Sequence, residues 1–350
     1  MFTAIVTDRP LFLSLAAIVA LVLAEAAHRW IETPYRLDQR ITGRRALRFT
    51  AVCVLLPLMV GLASARLTTR FPVPGIDQAR RQHSLYTDGC TRREPHGSTA
   101  VCRVDLPEAD RSIFLIGDSH AGQWSEPAST AAHRWNADLT IIEAGSCPVV
   151  PGLVREAGGE VSQYCLDTIE TAFDLIQAER PDVVIVGFAS TTYVTDGDVG
   201  LSFDDGPREE SVSGRAALWE RAVRRTVTEL RELGVGAAIV IHDNPSTDLP
   251  PDRCGWLRYG FSGCRSSVDR VVVDAGRAPA FDAERAAIEG IDGAFAIDPT
   301  PVLCSEKCSN HHGGQWMYRD STHVSVLAAE KLTPLFVDAI ERALAFADWT

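Results

Sequence analysis

Five short apolar runs punctuate the last two-thirds of this chain: Ile113 to Ile116, Leu139 to Ile142, Asp182 to Gly187, Gly236 to Ile241 and Ala294 to Ile297. Brief, β-branched runs bounded by turn residues read as strands buried on both faces. Helical stretches separate them. Gln123 to Trp135 has helical character, Leu166 to Glu179 ends at Arg180-Pro181, Ala216 to Leu233 is closed by Gly234, and Ser266 to Gly290 is mostly helical. Buried strands alternating with helices predict an open parallel α/β sheet with helices on both faces. Such sheets place their sites at the carboxyl ends of the strands. The chain has no internal repeat and no glycine loop that would cradle phosphate, so no bound nucleotide cofactor is expected.

One strand end carries chemistry. Ile113 to Ile116 runs into Gly117-Asp118-Ser119-His120, a strand, a tight turn and a helix start with Ser119 at the turn. Backbone N–H groups at a helix N-terminus favour an oxyanion there. Near the other end, Asp320-Ser321-Thr322-His323 precedes the apolar-periodic stretch Val324 to Leu332. A serine hydroxyl needs a base beside it to act as a nucleophile. A histidine suits that task, and an acid fixes its tautomer. Each motif taken alone also reads as a helix cap. A further polar cluster, His242-Asp243-Asn244-Pro245, follows the fourth run. It reads as a turn before proline, with His242 a candidate substrate contact.

The 350 residues hold nine cysteines, and eight lie beyond residue 89. An even set suggests disulfides in an oxidising compartment. Pairing sequence neighbours gives Cys90–Cys102, Cys147–Cys165, Cys254–Cys264 and Cys304–Cys308, one connectivity among many. Cys304, Cys308, His311 and His312 offer a rival zinc set, but their spacing is cramped, and no metal site is expected. Cys53 is expected as a lone, buried thiol.

The first 66 residues differ in kind. Leu11 to Ala27 and Ala46 to Ala65 are apolar enough to predict two membrane helices, with Pro57 and Gly61 tolerated. The flank before Leu11 is hardly basic, which argues against a signal peptide. His28 and the six arginines from Arg29 to Arg48 predict a cytoplasmic loop, leaving everything after Arg66 extracytoplasmic. Residues from Arg66 to Thr99 read as a linker and irregular extension. A formal charge of −12, with no basic tract joined to exposed aromatics, argues against nucleic-acid binding.

Gly117-Asp118-Ser119-His120 after an early strand, with Asp320-x-x-His323 before the last helix, resembles the first and last blocks of the SGNH hydrolase family. The resemblance runs from about Val101 to the C-terminus. It implies an SGNH-hydrolase-like (flavodoxin-like) fold, with Ser119 as nucleophile, His323 as general base and Asp320 as its orienting acid. It also implies Gly145 as an oxyanion donor after the second strand. The family's asparagine after the next strand is absent from Gly187-Phe188-Ala189-Ser190, where Ser190 is the nearest substitute.

Glu32-Thr33-Pro34-Tyr35-Arg36 is similar to the signature near the end of the membrane acyltransferase-3 domain. In the O-antigen acetylase branch of that family, the membrane domain is fused to an extracytoplasmic SGNH domain. The resemblance implies this layout: residues 1–66 ending a membrane domain, 67–100 linking, and 101–350 forming the SGNH-like domain. Most of the membrane domain has no counterpart in the sequence, so a fragment or a separate acyltransferase-3 partner is expected. The implied activity is O-acyl transfer, acetyl above all, to a cell-envelope glycan such as lipopolysaccharide or peptidoglycan. No cofactor is bound, and the acyl donor would come from acetyl-CoA through the membrane domain, placing the protein in the cytoplasmic membrane. The alternatives are an anchored carbohydrate esterase and a non-catalytic glycan-binding module.

Overall fold

The structure is a computed structural model, and it describes residues 17–18, 21–22, 24–33, 43–70, 73–96, 99–157, 160–204, 206–247, 249, 251, 254 and 264–349. Its contacts divide the chain into two units: residues 1–76 with 251–264, and residues 77–250 with 265–350.

In the first unit, the second apolar stretch forms the 27-residue helix Arg44–Arg70. Among the described residues, no helix is long and apolar enough to cross a membrane. Most of the first expected span, and Pro34, Tyr35 and Arg36, lie outside the described residues. Cys53 is free and exposed rather than buried, because nothing described covers that face of the helix.

The second unit is built on seven strands: β1 (Arg92–His96), β2 (Thr99–Val104), β3 (Arg111–Gly117), β4 (Ala137–Glu143), β5 (Val183–Gly187), β6 (Ala237–Ile241) and β7 (Ala294–Ile297). They form one sheet in the order β1-β2-β4-β3-β5-β6-β7. The five strands foreseen as apolar runs are parallel, β3 pairing β4 and β5, and β6 pairing β5 and β7. The sheet is mixed rather than wholly parallel. The hairpin β1–β2 adds antiparallel to β4. Its strands come from the stretch expected to be irregular and from the first residues after it. In Thr99 to Val104 only Ala100 and Arg103 are less than buried, and Thr99 and Arg103 keep the stretch from standing out as an apolar run.

Successive residues of a strand face opposite sides, and both sides are covered here. Ile113, Leu115, Ile185 and Ile239 pack with Trp124, Ala128, Phe336 and Ile340. Phe114, Ile116, Val184 and Val240 pack with Ile176, Trp219, Val223 and Ala280 on the other face. Helices Ser125–Arg134 and Thr333–Ala347 supply the first layer; Gln163–Glu179, Val212–Glu232 and Arg270–Ile288 supply the second. All five residues of β5 are buried, as are all five of β6. This layering is why those strands lack polar alternation.

The acidic stretch from Thr195 to Ser213, expected as an exposed loop, contains the strand Val199–Phe203. It pairs antiparallel with Leu153–Ala157, burying Val199 and Leu201. Four disulfides join Cys90 to Cys102, Cys147 to Cys165, Cys254 to Cys264 and Cys304 to Cys308. The sulfurs of Cys304 and Cys308 are thereby unavailable as thiolate ligands.

Candidate active site

Ser119 stands where β3 turns into the short helix Ser119–Gly122. The turn is held by Asp118, which is fully buried and caps the helix. Its Oδ1 accepts from the His120 N–H at 2.7 Å, and its Oδ2 from the Ala189 N–H at 2.9 Å and from the Tyr193 hydroxyl. One carboxylate thus fastens the end of β3 to the end of β5. Burial raises the Asp118 pKa, and these donors work against the rise. Capping and site-building are therefore one arrangement here, not rival accounts of Gly117-Asp118-Ser119-His120.

The Asp320–His323 loop reaches the same point from the far end of the chain. His323 Nε2 lies 2.8 Å from Ser119 Oγ. His323 Nδ1 lies 2.9 and 3.0 Å from the two carboxylate oxygens of Asp320. An ionised carboxylate only accepts, so Nδ1 carries the proton and Nε2 accepts from the serine hydroxyl. Asp320 also accepts the backbone N–H groups of Thr322 and His323. Burial works to raise its pKa, but the His323 hydrogen bonds outweigh burial and hold it well below the usual carboxylate range.

Residues outside the two motifs seat this loop. Gln123 Oε1 accepts the Val324 N–H at 2.8 Å, and Gln123 Nε2 donates to Asn244 Oδ1 at 2.7 Å. Asn244 Nδ2 donates to the Thr322 carbonyl at 2.7 Å. His83 touches the Val324 carbonyl with Nε2 at 3.1 Å and Glu126 with Nδ1 at 2.6 Å.

Ser119, Asp320 and His323 open onto a cavity of about 430 Å³ whose other walls include Gln82, His83, Tyr86 and Arg319. Three of these come from the stretch expected as a linker. The physical signal for that role is slight: Ala79 and Leu85 are the buried apolar residues on either side of Gln82 and His83. Below Tyr86 lies Glu143 at the end of β4. Burial, followed by the charge of Asp118, pushes its pKa up to about 7, while the Tyr86 hydroxyl bond opposes the rise.

Gly145 lies in an exposed turn after β4 and does not line this cavity. Ser190 begins the helix Ser190–Thr195; it is fully buried, and its hydroxyl meets no partner. His242 is likewise buried away from the cavity, with Nδ1 2.9 Å from Glu284 and its ring 4.5 Å from Phe281. Asp243 and Asn244, which follow it, reach the site instead. Their position at the end of β6 was the available clue, because consecutive residues leaving a strand point in different directions. Among the described residues, no cluster of histidine, cysteine and carboxylate side chains could hold a metal ion.

The arrangement can take a proton from Ser119 and return it, the requirement for acyl transfer through a serine ester. No curated protein matches the chain. Among solved structures, the periplasmic domain of Salmonella ser. Paratyphi A lipopolysaccharide acetyltransferase is similar over 69% of this chain and 86% of that one, with 14% identity and a TM-score of 0.46. Residues 88–338 match the SGNH domain found fused to AT3 domains, and with a match over most of its length the chain belongs to that family.

Proposed function

We propose that the protein transfers an acyl group, most simply acetyl, to a hydroxyl of an extracytoplasmic envelope glycan. The observation that carries this reading is the pair of contacts through His323, 2.8 Å to Ser119 Oγ and 2.9 Å to Asp320. Ser119 Oγ attacks the acyl carbonyl while its proton passes to His323 Nε2. His323 then gives that proton to the leaving oxygen, producing an acyl-serine. In the second half, His323 takes the proton of the acceptor hydroxyl, whose oxygen attacks the ester; the bond from the acyl carbon to Ser119 Oγ breaks, and His323 returns the proton to Oγ. Asp320 keeps the imidazole in the tautomer that both halves need.

Transfer to a glycan, rather than to water, is supported by the family, whose SGNH domains occur fused to AT3 membrane domains. An acyl donor delivered from acetyl-CoA through such a domain, within this protein's natural assembly, is part of the proposal. Four disulfides support an oxidising, extracytoplasmic setting. Attachment to the cytoplasmic membrane rests on the apolar run within Arg44–Arg70, where Leu56 and Met59 are more than half exposed. Ser190 enters the proposal as a residue of the turn that lacks the family's asparagine, while Gly145, which does not line the cavity, takes no role in it.

The test is acyl release from an acetyl ester by the full chain, with and without oligosaccharide acceptors, using Ser119→Ala as control. Acetylated sugar that disappears in the control supports transfer. Release to water alone makes the protein an esterase. Glycan binding without Ser119-dependent turnover makes it a binding module.

A further inference from the structure

Behind the Ser119–His323 contact lies a second histidine–carboxylate pair. His120 follows Ser119 directly, is 4% exposed, and places Nδ1 2.6 Å from Asp243 Oδ1. The His120 and His323 rings meet edge to face, with centroids 4.8 Å apart. Asp243 is itself buried at the end of β6. Its second oxygen accepts the Thr191 N–H at 3.0 Å, and its carbonyl accepts from Arg277 at 2.8 Å. The pair therefore touches three strand ends: β3 through His120, β5 through Thr191, and β6 through Asp243. The acyl-transfer steps above use neither residue.

We propose that His120 and Asp243 form a second His–Asp pair that acts as a positioning pair for His323, fixing its ring and placing a positive edge beside it. This inference rests on the acyl-transfer reading and deepens it. The geometry leaves His120 little freedom: its backbone N–H is bound by Asp118 and its ring by Asp243. Burial opposes charge on His120, but the attraction of Asp243, then Asp118 and Asp320, overcomes it and raises the pKa to about 9. At neutral pH an imidazolium thus faces His323.

Like charge at that distance repels the imidazolium that forms when His323 takes the Ser119 proton, so His323 passes that proton on to the leaving group more readily. The charged and titratable groups that bear on the two rings are Asp243, Asp118 and Asp320 around His120, with Arg277 against Asp243, and Asp320 and His120 around His323, with His83 and Arg319 in the same cavity wall.

The test is the pH–rate profile of acyl release by the full chain, comparing His120→Gln, Asp243→Asn and the double variant. His120→Gln leaves a lone carboxylate near His323, which favours its protonated form. The acid limb should move up by about one pH unit and kcat should fall about tenfold, with KM little changed. Asp243→Asn should move the limb less, because it removes both charges once the buried His120 loses its partner. The double variant should return the limb most of the way to that of the parent, which a purely structural role would not do. An unmoved limb in a folded His120→Gln enzyme, or a double variant whose shift adds, overturns the pair's role. If His120→Gln does not fold, the limb of Asp243→Asn against that of the parent reads the loss of the pair's charges, and an unmoved limb there overturns the pair's role. Activity that survives Ser119→Ala overturns the acyl-transfer reading itself, and the pair's role with it.

Discussion

The carbonyl oxygen of Gly187 stands where a side chain on Gly117 would have to be. A Cβ built on Gly117 would lie 1.9 Å from that oxygen, and the residue has φ of +148°, a backbone region that L side chains rarely adopt. The ends of β3 and β5 are in register here, Gly117 opposite Gly187. Gly117→Ala should therefore destabilise the domain by about 2–4 kcal/mol, or prevent folding, since both backbone strain and a backbone clash are introduced. Urea unfolding of the variant checks this. A loss under 1 kcal/mol would mean that the two strand ends can separate freely.

Asp320→Asn keeps the shape of the acid but can turn an N–H towards His323 Nδ1. That stabilises the wrong tautomer, with Nε2 protonated and unable to accept from Ser119. Single-turnover acyl release should fall about a thousandfold or more, with folding preserved. A fall of less than tenfold would remove Asp320 from the reaction.

Glu143 is a carboxyl that folding makes harder to ionise. Its pKa rises from 4.5 to about 7, chiefly through burial. Between those values the folded protein holds a proton that the unfolded chain has lost, so stability falls as pH rises through this window. Glu143→Gln should flatten that slope and make the protein more stable at pH 8 by on the order of 1–2 kcal/mol, after allowance for partial solvent contact. Denaturant midpoints at pH 5 and pH 8 provide the comparison. A parent protein equally stable at both values, with a variant that changes neither, would contradict the burial account.

The Cys147–Cys165 bridge spans 18 residues and ties the end of the turn after β4 to the first turn of helix Gln163–Glu179. Replacing both residues by alanine should cost about 3 kcal/mol, chiefly by freeing the unfolded chain. Unfolding midpoints of the oxidised parent and the double-alanine variant measure it.

The parallel strands were legible because burial on both faces leaves them as unbroken apolar runs; Val183 to Val186 could hardly be anything else. The β1–β2 hairpin was not, because one edge of it faces outward and Arg92, Arg93 and Glu94 carry charge there. The Ser119 and His323 motifs were legible from residue types at two strand and helix junctions. What no local pattern revealed is which polar residues fold inwards beside them. His120 and Asp243 are 123 positions apart, and only the sheet order brings β3 and β6 to either side of β5. Tyr86 and His83 sit in a stretch whose composition resembles a spacer.

Gln82, His83 and Tyr86 wall the cavity beside Ser119, yet they precede residues 88–338, which match the family. Ser119, His323 and Asp320 and part of the cavity wall beside them therefore come from different stretches of the chain. Substitutions at Gln82 and Tyr86 can remodel the mouth of the site while Ser119, His323 and Asp320 keep their places, whereas His83 also holds the loop that carries His323. A protein trimmed to residues 88–338 would keep Ser119, His323 and Asp320 while losing one side of this doorway and the His83 contact that seats Val324.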